Sequence, residues 1–364
     1  MKYWVLILIL LMTPMLARAA EPCAADWPLW SEFAETYIQA DGRVIDRGAG
    51  GISTSEGQSY ALFFSLIAGD RQHFDRILKW TNDNLAQGEL GKNLPGWKWG
   101  HRDDGTWATL DKNSASDADL WIAYSLFQAA DIWKNRAYLD TATVLLSNIA
   151  KQEIAILPAL GSMLLPAPHG FALDANTWRL NPSYLPIQLL RYFSAASPGG
   201  PWEELARNTY RMLSATSHHG VVPDWVLYRT RKGFDVDFEQ GKFSSYDAIR
   251  VYLWWAMLNP QEPLFEAIRP YMGATPFAPA HVLPERINAA NGETSGRAPV
   301  GFAAALAPYR FVLYGTKTAT PNSLSASAGY YNQVLSLFGY GWMEQRFRFN
   351  ADGSLNTRPQ SCQD

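Results

Sequence analysis

The sequence predicts an all-α fold of about a dozen helices, and three observations predict it. Apolar residues recur at three- and four-residue spacing through most of the chain. The periodic runs open on Ser, Thr, Asp or Pro and close on Gly or polar clusters, which are the start and stop signals of helices. Extended pieces are short and fit only between those runs, near 162–165 and 226–238.

The elements follow in order. Asp26-Trp27-Pro28 starts the first helix, where a proline costs nothing because a first-turn N–H has no partner anyway. Trp30, Phe33, Ala34, Tyr37 and Ile38 form its apolar side. A second helix begins around Ser53-Thr54-Ser55 and runs through Tyr60, Phe63, Phe64 and Ile67 to Gly69, and a third covers 74–85. The connection 94–113 is non-helical and carries Trp97, Trp99 and Trp107 among glycines and charges.

The stretch 113–133 follows, with Asp117 and Asp119 in its first turn. Leu120, Ala123, Tyr124, Phe127, Ala130, Ile132 and Trp133 supply its buried face. A helix over 136–151 buries Leu139, Ala142, Leu146 and Ile149, and further helices are expected over 185–193, 201–214, 246–258, 263–271, 301–313 and 330–344. No repeat of roughly 33–45 residues marks a solenoid of known period. A dozen antiparallel helices close either as a superhelix of hairpins or as a toroid of two concentric rings. In a toroid the long loops of one face converge on a single cleft.

The first residues are expected to lie outside this fold. Lys2 precedes an apolar run from Trp4 to Leu16, and Ala17-Arg18-Ala19 is a small-x-small cleavage pattern. This reads as a secretory signal peptide, 1–19, leaving one domain over 20–364 in the periplasm or outside the cell, with no membrane insertion after cleavage. Loss of Lys2 and Arg18 takes the formal charge from −3 to −5. A mildly acidic chain with no basic block is a poor partner for nucleic acid. Cys23 and Cys362 stand near the two mature ends, and in an oxidising compartment the expected state is a bridge joining them, the alternative being two free thiols.

Common catalytic kits are missing. The six histidines form no HExxH or CxxC-linked cluster, and no nucleophile elbow, P-loop or dinucleotide fingerprint occurs. No metal or cofactor is expected. Carboxylates and aromatics remain, and 15 Trp, 17 Tyr and 17 Phe are many for the length. Loop tryptophans are costly to expose unless something packs on them, and a sugar ring, apolar on its face and polar at its rim, is such a partner.

Three helices open with an acid in a Ser-rich turn. Glu56 lies in Thr54-Ser55-Glu56-Gly57-Gln58-Ser59-Tyr60, where an acid suits the helix dipole. Gly57 is a poor helix former that permits close approach beside it. Asp117 and Asp119 offer two overlapping capping boxes, Ser114 with Asp117 and Ser116 with Asp119. Only one box defines the start, and Asp119 with Ser116 is the expected cap. Asp247 precedes Arg250 by three residues, the spacing of a helical ion pair. Each acid alone reads as structural. Together with the loop tryptophans they suggest the two-carboxylate chemistry of glycosidic cleavage.

The ordered blocks carry a resemblance. Ala115-Ser116-Asp117-Ala118-Asp119, continuing through Ile122-Ala123-Tyr124-Ser125-Leu126 to Ala129 and Trp133, resembles the signature of glycoside hydrolase family 8. Thr54–Tyr60, Asn181-Pro182-Ser183-Tyr184 and Tyr246-Asp247-Ala248-Ile249-Arg250 resemble further blocks of it in the same order. Gly42-Arg43-Val44-Ile45-Asp46, Gly161-Ser162-Met163-Leu164-Leu165-Pro166 and Arg346-Phe347-Arg348-Phe349 resemble a subgroup of periplasmic endoglucanases encoded with bacterial cellulose synthase.

The resemblance implies an (α/α)6 barrel and an inverting endo-1,4-β-glucanase. It implies Glu56 as general acid and Asp247 as general base, with Asp117 holding the sugar at the cleavage point. Tyr184 and Arg250 are implied to position the attacking water and the base. Inversion implies carboxyls about 6.5–9.5 Å apart. Sugar contacts are expected from Trp97, Trp99 and Trp107, then Trp178 and Trp225, and from Asp119, Asn181 and Ser183. The expected partner is a β-1,4-glucan chain, with cellulose export machinery as a second. The rivals are another β-glycan (xylan, chitosan or mixed-linkage glucan), a non-catalytic glycan-binding subunit, and a polysaccharide lyase.

Overall fold

The computed structural model describes residues 27–279, 281–324 and 328–357. The expected signal peptide, Cys23 and Cys362 lie outside them. Eleven α-helices are present among the described residues. The first five are α1 (Pro28–Tyr37), α2 (Ser55–Ile67), α3 (Arg71–Asn84), α4 (Ser116–Ile132) and α5 (Arg136–Gln152). The others are α6 (Ile187–Ala196), α7 (Trp202–Thr216), α8 (Ala248–Ala256), α9 (Pro263–Ile268), α10 (Val300–Tyr314) and α11 (Tyr330–Met343).

Two kinds of helix make two layers. α1, α3, α5 and α7 bury one stripe each and leave a polar face to solvent, as outer helices do. α2, α4 and α8 are buried almost all round, and this explains why they read as so apolar. They meet α11 in an aromatic centre, where Phe338 packs on Tyr60, Phe63, Phe64, Trp121 and Trp254 at centroid distances of 4.6–5.5 Å. Burial of rings from three helices around one side chain of a fourth ties the inner layer into one core. Gly339 is required there, because a Cβ on it would lie 1.9 Å from the Ala304 carbonyl oxygen of α10.

The helix boundaries differ from expectation where a polar side chain does the capping. α3 starts at Arg71 because the Asp70 carboxylate accepts from the His73 N–H at 3.1 Å. α8 starts at Ala248 rather than near 246. The connection 94–113 contains a hairpin, β2 (Lys98–His101) and β3 (Trp107–Asp111), which extends the short strand β1 (Ser53–Thr54). A hairpin β4 (Ile154–Leu157) and β5 (Gly161–Leu164) follows α5. A four-stranded antiparallel sheet then joins β6 (Ala172–Asp174), β7 (Thr177–Leu180), β8 (Val226–Arg229) and β9 (Gly233–Val236) in that order. These small sheets tie the aromatic loops by strand pairing at the end where α2, α4 and α8 begin.

Candidate active site

The N-termini of α2, α4 and α8 open on one cleft. Glu56, Tyr60, Asp247, Arg250 and Tyr331 line a lobe of about 760 Å³ of empty space. Trp97, Ser114, Phe171, Tyr184 and Trp225 line a second lobe of about 560 Å³. Trp97 joins the two, since its indole N–H donates to Glu56 Oε1 at 3.0 Å.

At the starts of α2 and α8 the flanking backbone donors are taken by another residue, whereas at α4 Asp117 Oδ1 itself accepts the Ala118 N–H at 2.9 Å. Thr54 Oγ1 accepts from the Gly57 N–H at 3.2 Å, so the Glu56 carboxyl, which meets its own backbone N–H, is not needed as the cap of the next residues. Gly57 admits a neighbour as expected, and the neighbour is Tyr330, whose hydroxyl would lie 2.9 Å from a Cβ there. At α4 the flanking residue is Ala115 with no side-chain cap, and the Ser116 N–H donates to the Pro166 carbonyl at 3.0 Å. At α8, Asp224 reaches from the segment before β8. Its Oδ1 accepts from the N–H groups of Ser245 and Ala248, both at 2.8 Å. Asp247 makes no capping bond and turns its carboxylate to the cleft.

Arg250 is the hub. Its Nη1 donates to Asp117 Oδ2 at 3.0 Å and to the Tyr60 hydroxyl at 2.9 Å, and its Nη2 donates to Asp247 Oδ1 at 2.7 Å. The planar guanidinium holds two acids from two helices in fixed relation, which a point-charge ammonium does poorly. The guanidinium carbon stands 5.6 Å from the Tyr184 ring centroid.

Burial pushes the Glu56 carboxyl up to about 8, and the Asp117 charge adds to it. Arg250 and the Trp97 hydrogen bond oppose that shift and do not cancel it. Glu56 is therefore a protonated acid at neutral pH. Burial likewise raises Asp117 and takes Asp224 to about 6.

These shifts share one sign, so the folded chain binds more protons than the unfolded chain above the ordinary carboxylate range. Their contribution to stability is complete below about pH 4 and is lost as pH rises through about 8. The calorimetric unfolding midpoint is expected to fall between pH 5 and pH 8, and less steeply in Glu56→Gln. A midpoint that rises over that range contradicts the protonated site.

Several expected sugar contacts are placed elsewhere. Asp119 neither caps α4 nor meets the cleft. It is 0% exposed and lies beneath the first turn beside Glu153. Asn181 and Ser183 are also buried, because the Asn181 side chain caps the 3-10 turn Pro182–Tyr184 through the Ser183 N–H and hydroxyl. They fix Tyr184 from below. Trp178 faces the core and packs on Tyr228 at 6.0 Å. Trp99 and Trp107 stack on each other at 4.8 Å, with Arg43 over both rings at 4.3 and 4.6 Å. Neither borders the lobes that hold the acids. Trp225 does, stacked on Phe171 with rings 3° from parallel.

Tyr331, Tyr330 and Phe171 line the site, Asp224 and Glu153 hold segments that border it, and none of the five was singled out by sequence. Tyr331 donates to the Tyr246 carbonyl at 2.5 Å, and the signal for both tyrosines was the polar opening Tyr330-Tyr331-Asn332 of α11. Asp224 and Glu153 had no local signal, since each acts on a helix start distant in sequence.

A family model described as Glycosyl hydrolases family 8 matches residues 3–345. The chain is 46% identical to an endoglucanase of Salmonella typhi and 44% identical to one of Escherichia coli K12, each match covering 94% of both chains. Among solved structures, an endo-1,4-D-glucanase from Vibrio fischeri ES114 superposes with a TM-score of 0.84 at 39% identity, covering 92% of this chain and 99% of that one.

Proposed function

The chain belongs to glycosyl hydrolase family 8, with the (α/α)6 barrel of that family, and from that membership we propose how its cleft cuts a glycan. It is a glycoside hydrolase, an inverting endo-1,4-β-glucanase. The observation that carries the assignment of roles is the contrast between two carboxyls of one cleft. Glu56 is pushed to about 8 by burial, whereas Asp247 stays paired with a guanidinium at 2.7 Å.

Environments that separate two carboxyls assign acid and base. Glu56 gives its proton to the departing glycosidic oxygen. Asp247 takes a proton from the water that attacks the anomeric carbon on the opposite face. Asp117, held by Arg250, accepts hydrogen bonds from the hydroxyls of the sugar at the cleavage point. Tyr184 and Arg250 place the water and the base. Trp97, Phe171 and Trp225 offer aromatic faces to the rings that extend along the second lobe.

The test is cellohexaose hydrolysis followed by proton NMR. Inversion yields the α-anomer first, and initial β-anomer overturns the pairing of Glu56 with Asp247. Faster release from xylan than from soluble cellulose derivatives would overturn the substrate class. The free enzyme's kcat/KM is expected to decline as pH rises through about 8, where Glu56 loses its proton.

The leading apolar run and Ala17-Arg18-Ala19 support export to the periplasm, and the subgroup blocks support a place beside cellulose export machinery. Sequencing the mature N-terminus from fractionated cells checks the first, with a start near Ala20 expected.

A further inference from the structure

Beneath the cleft floor lie two acids with no part in the mechanism above. Asp119 of α4 and Glu153, just past α5, are both 0% exposed. They are hydrogen-bond neighbours of each other. Among the described residues neither takes part in an ion pair, and no N–H or hydroxyl donor reaches either oxygen of Asp119 or Oε2 of Glu153. Glu153 Oε1 accepts from Ser114 Oγ at 2.5 Å.

Two ionised carboxylates in this position would repel without screening or compensation. With one proton between them the arrangement closes. A carboxylic acid donates to the free oxygen of its neighbour, and the other oxygen of that neighbour takes the Ser114 hydroxyl. Burial lifts Glu153 to about 8 against the hydrogen bonds from Ser114 and Asp119, and burial together with the Glu153 charge lifts Asp119 well above the usual carboxylate range. Asp117 and Glu56 are the other acids that bear on Asp119.

We propose that Asp119 and Glu153 form an acid–carboxylate pair sharing one proton, and that this pair is the positioning device for the cleft floor from Ser114 to Asp117. Three segments converge on it. Ser114 lines the cleft and ends on Glu153. The Leu165 N–H donates to the Glu153 carbonyl at 2.7 Å, and the Ser116 N–H to the Pro166 carbonyl at 3.0 Å. Asp117 lies between Ser116 and Asp119 in the same turn, so the pair sets where the Asp117 carboxylate meets Arg250 and the substrate. The claim about catalysis rests on Asp117 holding the sugar. The claim about the shared proton does not.

The experiment has two arms on the purified full chain. Infrared difference spectra at pH 7 are taken in the Glu56→Gln background, which removes the cleft's own protonated acid. A carboxylic C=O band is expected that disappears in Glu56→Gln/Asp119→Asn. Its absence before the second substitution overturns the shared proton, whatever the fate of the mechanism.

In the second arm, Asp119→Ala is expected to lower kcat by roughly tenfold or more with little change in KM, because it strands a buried carboxylate. Asp119→Asn keeps the donor toward Glu153 and is expected to restore kcat to within roughly threefold of the parent. If Asp119→Ala does not fold, Ser114→Ala cuts the same link above the pair, and a severalfold loss in kcat is expected. Equal damage from Asn and Ala overturns positioning by the pair, as does an undiminished kcat in the Ala variants.

Discussion

Glu56→Gln is expected to lower kcat on cellohexaose by roughly 10³-fold, the scale of a positioned general acid, while oligosaccharide affinity changes little. The amide preserves shape and still accepts from the Trp97 indole, whose N–H lies 3.0 Å from Glu56 Oε1. It has no proton to give the departing oxygen. The measurement pairs steady-state kinetics with calorimetric titration of cellohexaose into the variant. Full activity removes Glu56 from the mechanism. A loss of affinity with kcat unchanged would instead make it a binding group, since removing uniform binding raises KM alone.

Arg250→Met is expected to cost about 3–5 kcal/mol of stability, the penalty for breaking a buried ion pair from one side, and to abolish hydrolysis. Arg250 is 7% exposed and compensates both Asp117 and Asp247. Without it, two neighbouring acids have no cation between them, and Glu56 is pushed higher still. Arg250→Lys separates charge from shape. Lysine keeps the positive charge, so part of the lost stability returns. It cannot span both carboxylates with a flat fork, so kcat stays low. The pair of melting curves and rates checks this, and a fully active Lys variant contradicts the bridging role.

Arg250 also shows why part of the site was legible in advance. Its three-residue spacing from Asp247 was already a helical ion pair on paper, and the structure has that contact at 2.7 Å. The second contact, to Asp117, spans 133 residues, and nothing in either local stretch announces it. Asn181 and Ser183 show the opposite failure. A polar turn before Tyr184 reads as a sugar-facing surface, but its polar atoms are spent on capping a 3-10 turn. Trp178 fails for a similar reason. Its strand β7 pairs with β8 inside a four-stranded sheet, and that pairing turns the ring inward.

Sequence by itself determined the helical class, the order of the helices and the three turns that carry the acids. These follow from apolar spacing and start signals, which act between near neighbours. Only the tertiary structure decided what each acid does. Any acid in a first turn satisfies the helix N-terminus equally well as a matter of local chemistry. Thr54 takes the Gly57 N–H in place of Glu56, and Asp247 is released because Asp224 arrives from 23 residues upstream to take two donors. Asp117 and Asp119, two residues apart, part company because helix geometry sends one to Arg250 in the cleft and the other down to Glu153. Burial then sets which acid keeps its proton, and burial is a property of the packed barrel.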